Sequence, residues 1–371
     1  MKKKSIIAIA VAVTLIAGIS LTVASCDRGH WEDSFFSGEM HLVNDVDEIE
    51  LPTLSPNIAM STISSPDDSR VFGQYVISHH GRSEGTYSVS NMPDGSLVGL
   101  FCPVGRGENE PMDGYGMDLV VKDGKTRAWF YSPHGRKAFL WDVTSSIESG
   151  RTVYERVCPI NYSLDDYLSM PTAIFQLDDD RVILQNPRQD GSKDWLSDTP
   201  RLDICSLSSG EIISSIEPFV IADKKHEFGK WLLNFNGCIS PDRSKIALVM
   251  NYFPVLGIVD LTTEQTSFLK LVVKRRVPKD ASILFFDWIC CDDQNIYAMY
   301  FRQSVTDGSL EGPHHSILYV FDWEGRIRGK FGMEGNIVGL VPGDPGEFYL
   351  ADASDMTMRK VTASELEPFL R

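Results

Sequence analysis

Hydrophobic residues along this chain come in short runs, closed off by clusters of Asp, Gly, Pro and Ser. Runs this short, rich in β-branched and aromatic residues and bounded by turn chemistry, predict strands rather than helices. The stretch from Ser240 to Leu271 shows the unit most clearly. Cys238-Ile239 is an apolar start, and Pro241-Asp242-Arg243-Ser244 is a turn, because Pro presets φ and Asp bonds its own backbone. Lys245 to Met250, Gly257 to Asp260 and Thr266 to Leu271 are three further strands, with a turn at Thr262 to Gln265. The unit is a four-stranded meander.

Its Asp- or Gly-containing turn recurs at Asp67-Asp68-Ser69-Arg70, Asp123-Gly124-Lys125-Thr126, Asp178-Asp179-Asp180-Arg181, Asp292-Asp293-Gln294-Asn295 and Gly343-Asp344-Pro345-Gly346. Apolar or aromatic runs follow each of them: Val71–Ile77, Ala128–Tyr131, Val182–Leu184, Ile296–Phe301 and Phe348–Leu350. Intervals of some 51 to 63 residues, with four strands per interval, predict an all-β fold, a six-bladed β-propeller of four-stranded antiparallel blades. The last unit has only three strands: Asn336–Val341, Glu347–Asp352 and Met356–Val361. Met40–Leu51, strand-like and upstream of the first blade, is expected to supply the missing outer strand and remove an open sheet edge. Domain organisation follows: a leader over 1–25, a tether over 26–39 that includes the polar stretch Asp27 to Ser37, and the propeller over 40–371. Length alone favours about two domains of ~150 residues, but blades cannot bury their faces singly and stack into one ring. No amphipathic helix stands out; Asp165 to Met170 reads as a single short turn.

The leader changes the picture. Lys2, Lys3 and Lys4 form a positive start, Ile6 to Val23 an apolar core, and Val23-Ala24-Ser25-Cys26 a small-residue approach to a cysteine. That is a signal peptide in the form of a bacterial lipobox, so cleavage before Cys26 and lipidation of its thiol are expected. Losing the three lysines takes the net charge from −16 to −19. So acidic a chain argues against a nucleic-acid partner, and with no polybasic patch the acyl anchor alone would hold the membrane. The expected location is the cell envelope, most readily the outer membrane. Of the other cysteines, Cys102, Cys158, Cys205, Cys238, Cys290 and Cys291 show no disulfide framework and no C-x-x-C pair, and are read as buried free thiols. Trp129, Trp141, Trp231, Trp288 and Trp323 mostly fall on strands and read as interblade core.

In a four-stranded blade the loops from second to third strand share a face with the interblade loops, opposite the Asp-turns. Onto that face fall His79-His80-Gly81-Arg82, Pro133-His134-Gly135-Arg136, Asn186-Pro187-Arg188, Arg302-Gln303, Arg106, Lys224-Lys225-His226 and Lys274-Arg275-Arg276. An acidic protein thus gathers cations on one face. Candidate ligand-binding residues are Arg82, Arg106, Arg136, Arg188, Arg302, His80 and His134, since the guanidinium fork suits planar anions. The plainer reading is a set of solvated hairpin residues with local acidic partners. Gly81-Arg82-Ser83-Glu84-Gly85 matches G-x-S-x-G in letters, but lies in a hairpin, whereas the nucleophile elbow needs a strand-to-helix turn. His80, His134 and His314 lack an accompanying acidic ligand, so no metal and no cofactor is expected. Asp178-Asp179-Asp180 lacks the spaced ligands of a calcium loop and reads as a tight turn.

At Gly105-Arg106-Gly107-Glu108-Asn109-Glu110, following Phe101-Cys102, the chain resembles the six-bladed, TolB-like propeller lipoproteins of Bacteroidetes-type bacteria. Those proteins carry a Gly-Arg-Gly-Pro-x-Glu loop here; Glu108 replaces the Pro, and Pro111 stands where an aromatic often follows Glu. The resemblance implies an envelope lipoprotein and carries over no catalytic residue; for Arg106 and Glu110 it implies loop bracing or binding. Three functions stay open: a non-catalytic binding or scaffold module for a protein or anionic ligand, a hydrolase or lyase acting on a glycan or anionic small molecule, and purely structural spacing of envelope components. An exposed apolar rim favours the module; a carboxylate raised by burial beside His80 or His134 favours the enzyme.

Overall fold

A computed structural model describes residues 35–37, 40–51, 58–59, 69–92, 94–161, 171–186, 200–220, 222, 233–272, 277–278, 282–306, 309–310 and 315–371. Ile58, Ala59, Arg82, Val305, Thr306, Ser309 and Leu310 are described by backbone alone.

Six small, mainly antiparallel sheets follow one another along the chain; five are built on a four-stranded meander, and the sixth on a three-stranded one. Blade 1 is Ser69–Phe72, Tyr75–Arg82, Gly85–Asn91 and Leu97–Phe101. Blade 2 is Tyr115–Lys122, Lys125–Ser132, Lys137–Asp142 and Tyr154–Pro159; blade 3 is Ala173–Gln176, Arg181–Asn186, Arg201–Ser206 and Ile212–Ile216. Blade 4 is Phe235–Ile239, Lys245–Met250, Val255–Asp260 and Gln265–Leu271. Blade 5 is Ile283–Cys291, Asn295–Thr306, Ser316–Asp322 and Ile327–Met333, and blade 6 has Ile337–Pro342, Glu347–Asp352 and Thr357–Thr362. The chain is a six-bladed β-propeller.

Five Asp- or Gly-turns join first to second strands as expected. Asp178 shows why: its Oδ1 accepts the Asp180 and Arg181 N–H groups at 2.9 and 2.7 Å, and Arg181 Nε donates to its Oδ2 at 2.7 Å. The first blade differs. Ser69 and Arg70 lie within a strand, and the turn is Gly73-Gln74, which splits the run expected over Val71–Ile77. Gly73 supplies a positive φ of 51°, and its N–H donates to Asp344 Oδ2 at 3.0 Å. The turn of the last blade thereby caps the turn of the first across the seam.

Closure by an N-terminal strand holds, but the segment is not Met40–Leu51. Ile58–Ala59 pairs antiparallel with Thr357 and Met358 as the outer strand of blade 6. Met40–Val43 instead runs parallel to Gln265–Leu271 on the outside of blade 4, and Ile49–Glu50 runs parallel to Ile327–Met333 on blade 5. The reason is directional. Only the stretch leading straight into Ser69 arrives beside blade 6, so the residues before it lie one and two blades further back. Together they form a strap that follows the ring and pairs three outer edges. Asp45 fixes it by accepting Tyr319 Oη and Lys330 Nζ, each at 2.8 Å, and Glu48 Oε1 lies 2.9 Å from His315 Nε2. The docked part begins earlier still, within the stretch expected as tether. Phe35 and Phe36 are buried against Phe253, at ring-centroid distances of 5.3 and 5.1 Å, and Ser37 N–H donates to the Val220 carbonyl at 2.7 Å.

Between blades the core is aromatic. Trp141 of blade 2 stacks on Tyr87 of blade 1 at 5.8 Å and 17°, and its Nε1 donates to Ser146 Oγ at 2.8 Å. Trp129 is likewise fully buried, and Trp323 nearly so; Trp231 lies outside the described residues. Ser146 belongs to a helix, Val143–Ser149, between the third and fourth strands of blade 2. Asp142 caps it by accepting the Ser145 N–H at 2.8 Å, and Gly150 ends it at φ 68°. Asp165 to Met170 lies outside the described residues. Among those described, no helix is long and apolar enough to cross a membrane.

Two buried carboxylates give the fold an acid limit. Burial pushes Asp142 and Asp352 up, but hydrogen bonds outweigh it. Ser145 and Lys125 bind Asp142, while Ser354, the Asn336 N–H and Arg359 bind Asp352, and both groups end below the ordinary 3.8. A lowered folded-state value contributes stability above the ordinary value, and that stability is lost as pH falls through the lowered one. The melting temperature is therefore expected to hold level above about pH 5 and to fall below about pH 4. A decline beginning already near pH 6, or none down to about pH 2.5, would contradict this.

Candidate functional site

The junction of blades 1 and 2 holds a polar cluster on the face opposite the Asp-turns. It is built by the loop from Phe101 to Tyr115 folding over the hairpin at Pro133 to Arg136. Glu110 turns back on its own loop, accepting the Gly107 N–H at 2.8 Å, and the Gly105 N–H donates to the Pro111 carbonyl at 2.9 Å. A side chain at position 105 would displace the Glu110 carboxylate, because a Cβ there would fall 1.8 Å from Glu110 Oε2. Glu110 thus braces the loop through the backbone, and Arg106, carried on the loop's tip, is exposed and makes no ion pair among the described residues.

Asp113, at the end of the same loop, ties it to the hairpin. Its carboxylate accepts Ser132 Oγ at 2.5 Å and bonds His134 Nδ1, while Ser132 Oγ accepts the Met112 N–H at 3.2 Å. Serine, histidine and aspartate meet here, but in an order that cannot activate a nucleophile. A hydroxyl nucleophile must give its proton to the imidazole; here both Ser132 and His134 bond the carboxylate, and Ser132 is fully buried. What the arrangement does is fix the orientation of His134 at the surface. Arg136 sits in the same hairpin at a positive φ of 50°, close enough to Tyr131 for its charge to act on that hydroxyl.

The same sector exposes apolar side chains. Val104, Met112 and Tyr115 are 37%, 42% and 38% exposed. Tyr115 lies 6.1 Å from the ring of His79, which packs edge-on against Tyr87 at 5.7 Å. Asp113, Ser132, Met112 and Tyr115 escape sequence reading because their contacts join residues some 19 to 36 positions apart with no shared motif.

The expected cationic residues are only partly gathered. Arg106, His134 and Arg136 belong to the junction of blades 1 and 2. Arg302 is exposed on blade 5, diametrically across the ring from blade 2, within a strand and at φ 49°. It does not join the others. His80 is half-buried on the second strand of blade 1, and the backbone of Arg82 closes the same strand. The G-x-S-x-G letters fall on an antiparallel hairpin whose turn is Ser83-Glu84. Cys26, Arg188, His314, Lys224-Lys225-His226 and Lys274-Arg275-Arg276 lie outside the described residues. Among the described residues no three His, Cys, Asp or Glu side chains stand together as a metal site.

On the Asp-turn face the inner end of the ring is bridged. Arg243 from blade 4 donates to Asp118 Oδ2 of blade 2 at 2.6 Å and to the Gln176 carbonyl of blade 3 at 3.3 Å.

No family model matches the chain, and no curated protein matches it. Among solved structures it is similar to a member of the DUF4221 family from Bacteroides vulgatus, at 9% identity over 84% of this chain and 96% of that one, with a TM-score of 0.56. It is also similar to a protein from Bacteroides fragilis, at 10% identity over 84% and 88% with a TM-score of 0.48. A third is the Kuenenia stuttgartiensis hydrazine synthase, at 10% identity over 84% and 80% with a TM-score of 0.47. The likeness is one of fold.

Proposed function

We propose that the chain is an envelope lipoprotein whose propeller acts as a non-catalytic binding module, and that its binding surface is the junction of blades 1 and 2. The observation that supports this reading most is a braced loop that carries exposed Val104, Met112 and Tyr115 together with Arg106, which makes no ion pair among the described residues, next to the hairpin that bears Arg136. An apolar centre flanked by guanidinium groups suits an acidic protein surface or an anionic ligand. The buried Ser132, bonded to the carboxylate instead of the imidazole, speaks against acyl-transfer chemistry at this cluster. A hydrolase or lyase using other residues is the second reading, but among the described residues no reactive geometry on this face favours it.

The test compares wild type with Arg106→Glu/Arg136→Glu in crosslinked pull-downs from intact cells and in titrations with anionic glycans. The double variant is expected to keep the wild-type melting temperature and to lose at least about tenfold in partner or ligand recovered, since desolvated charge pairs at an interface are worth ~2 kcal/mol or more. Equal recovery by both forms would remove the surface from consideration.

A further inference from the structure

Cys238 and Cys291 lie on the first strands of blades 4 and 5, Phe235–Ile239 and Ile283–Cys291, which run side by side at the inner wall of the ring. Cys291 Sγ donates to the carbonyl of Ile239, the residue after Cys238, at 3.1 Å, and the Cys291 thiol is close enough to act on the ionisation of Cys238. Both pack on the same apolar cluster, between blades 4 and 5. Strand alternation turns the adjacent Cys290 the other way, into the cluster shared by blades 5 and 6. All six described cysteines are free thiols, and Cys102, Cys158 and Cys205 stand in other blades.

We propose that Cys238 and Cys291 are a disulfide-forming pair that, on exchange with an external disulfide, staples blade 4 to blade 5. One thiolate attacks a sulfur of the external disulfide and releases one thiol, leaving a mixed disulfide on the protein. The second cysteine, deprotonated, attacks the protein-side sulfur and releases the other thiol. In sum the external disulfide is reduced to two thiols, and the protein gains one S–S bond and loses two hydrogens. Burial is the main cause that raises Cys238 above its ordinary value, followed by its contacts with Cys291, while Arg70 across the ring pulls it down. Little thiolate exists at neutral pH, so exchange is slow there and quickens as pH rises. The inference is independent of the proposed binding surface, which lies at another junction.

The experiment takes the purified, reduced protein, exposes it to oxidised glutathione at about pH 7 and about pH 9, alkylates remaining thiols, and maps peptides without reduction. The expected result is one internal cross-link, between Cys238 and Cys291, formed faster at the higher pH. It should raise the melting temperature by roughly 5 °C, because a closed loop of this size constrains the unfolded chain, and dithiothreitol should reverse it. Cys238→Ser and Cys291→Ser should each abolish the link, and Cys290→Ala should keep it. Should a serine variant fail to fold, the wild-type peptide map still decides. A folded protein that keeps all six thiols after prolonged exposure at both pH values, or that links Cys290 instead, would overturn the proposal.

Discussion

Replacing Phe35 and Phe36 together by alanine is expected to cost about 5 kcal/mol of folding stability. Each ring is buried, Phe35 lies 11° from parallel with Phe253, and Phe36 meets it edge-on while also touching Phe219. Single Phe→Ala changes in a core cost about 3–5 kcal/mol, and two rings in contact add less than fully. These two side chains also anchor the start of the strap, so the effect reaches further than the cavity they leave. With the anchor gone, Met40–Val43 and Ile49–Glu50 lose their docking geometry, and Ile58–Ala59 must hold blade 6 alone. Deleting every residue up to Ala59 is the stronger form and is expected to prevent formation of a cooperatively folded monomer. Urea denaturation of the double variant checks the first value; a loss under about 1 kcal/mol would mean that the strap is ornamental to the ring.

Cys26→Ala is expected to move the protein from the membrane fraction to the soluble fraction almost completely. The argument is physical once lipidation is granted. Acyl burial contributes about 0.8 kcal/mol per methylene, so two or more chains anchor firmly where one holds marginally. Once its leader is removed, the chain would carry a net charge of −19, which anionic lipid repels. Among the described residues no helix is long and apolar enough to take over. Fractionation of cells carrying each form reads the result directly. Retention of the variant in the membrane pellet through carbonate washing would reject the lipid anchor at this residue.

Much of the propeller was legible in the sequence because each blade repeats one local device, a turn that bonds its own backbone followed by an apolar run. Where the device was absent, reading failed. Blade 1 turns at Gly73-Gln74 with no Asp of its own and borrows Asp344 from blade 6, while the more conspicuous Asp67-Asp68 drew attention upstream. The strap was illegible in detail for a different reason. Two of its three strands are two residues long, and parallel pairing to an outer edge leaves no periodic trace in the segment. The helix Val143–Ser149 was signalled only by its ends, Asp142 and Gly150, around a weakly apolar interior.

The candidate site divided along similar lines. Topology alone sorts residues between the two faces, so Arg106, Arg136 and His134 were found on one of them. It says nothing about position around the ring, which separates Arg302 from the rest. Nor can a linear motif show that Asp113 meets Ser132 and His134, or that the Glu110 carboxylate bonds the Gly107 N–H while Arg106 makes no ion pair among the described residues.

The binding surface is tested most directly by placing a photocrosslinking amino acid at Met112, on the proposed surface, and separately at Val121, which is 68% exposed near the Asp-turn face. Irradiation in intact cells is expected to give a discrete adduct from position 112 that disappears in the Arg106→Glu/Arg136→Glu background, and no matching adduct from position 121. An adduct from 121 with none from 112 would place the partner on the opposite face and contradict the account.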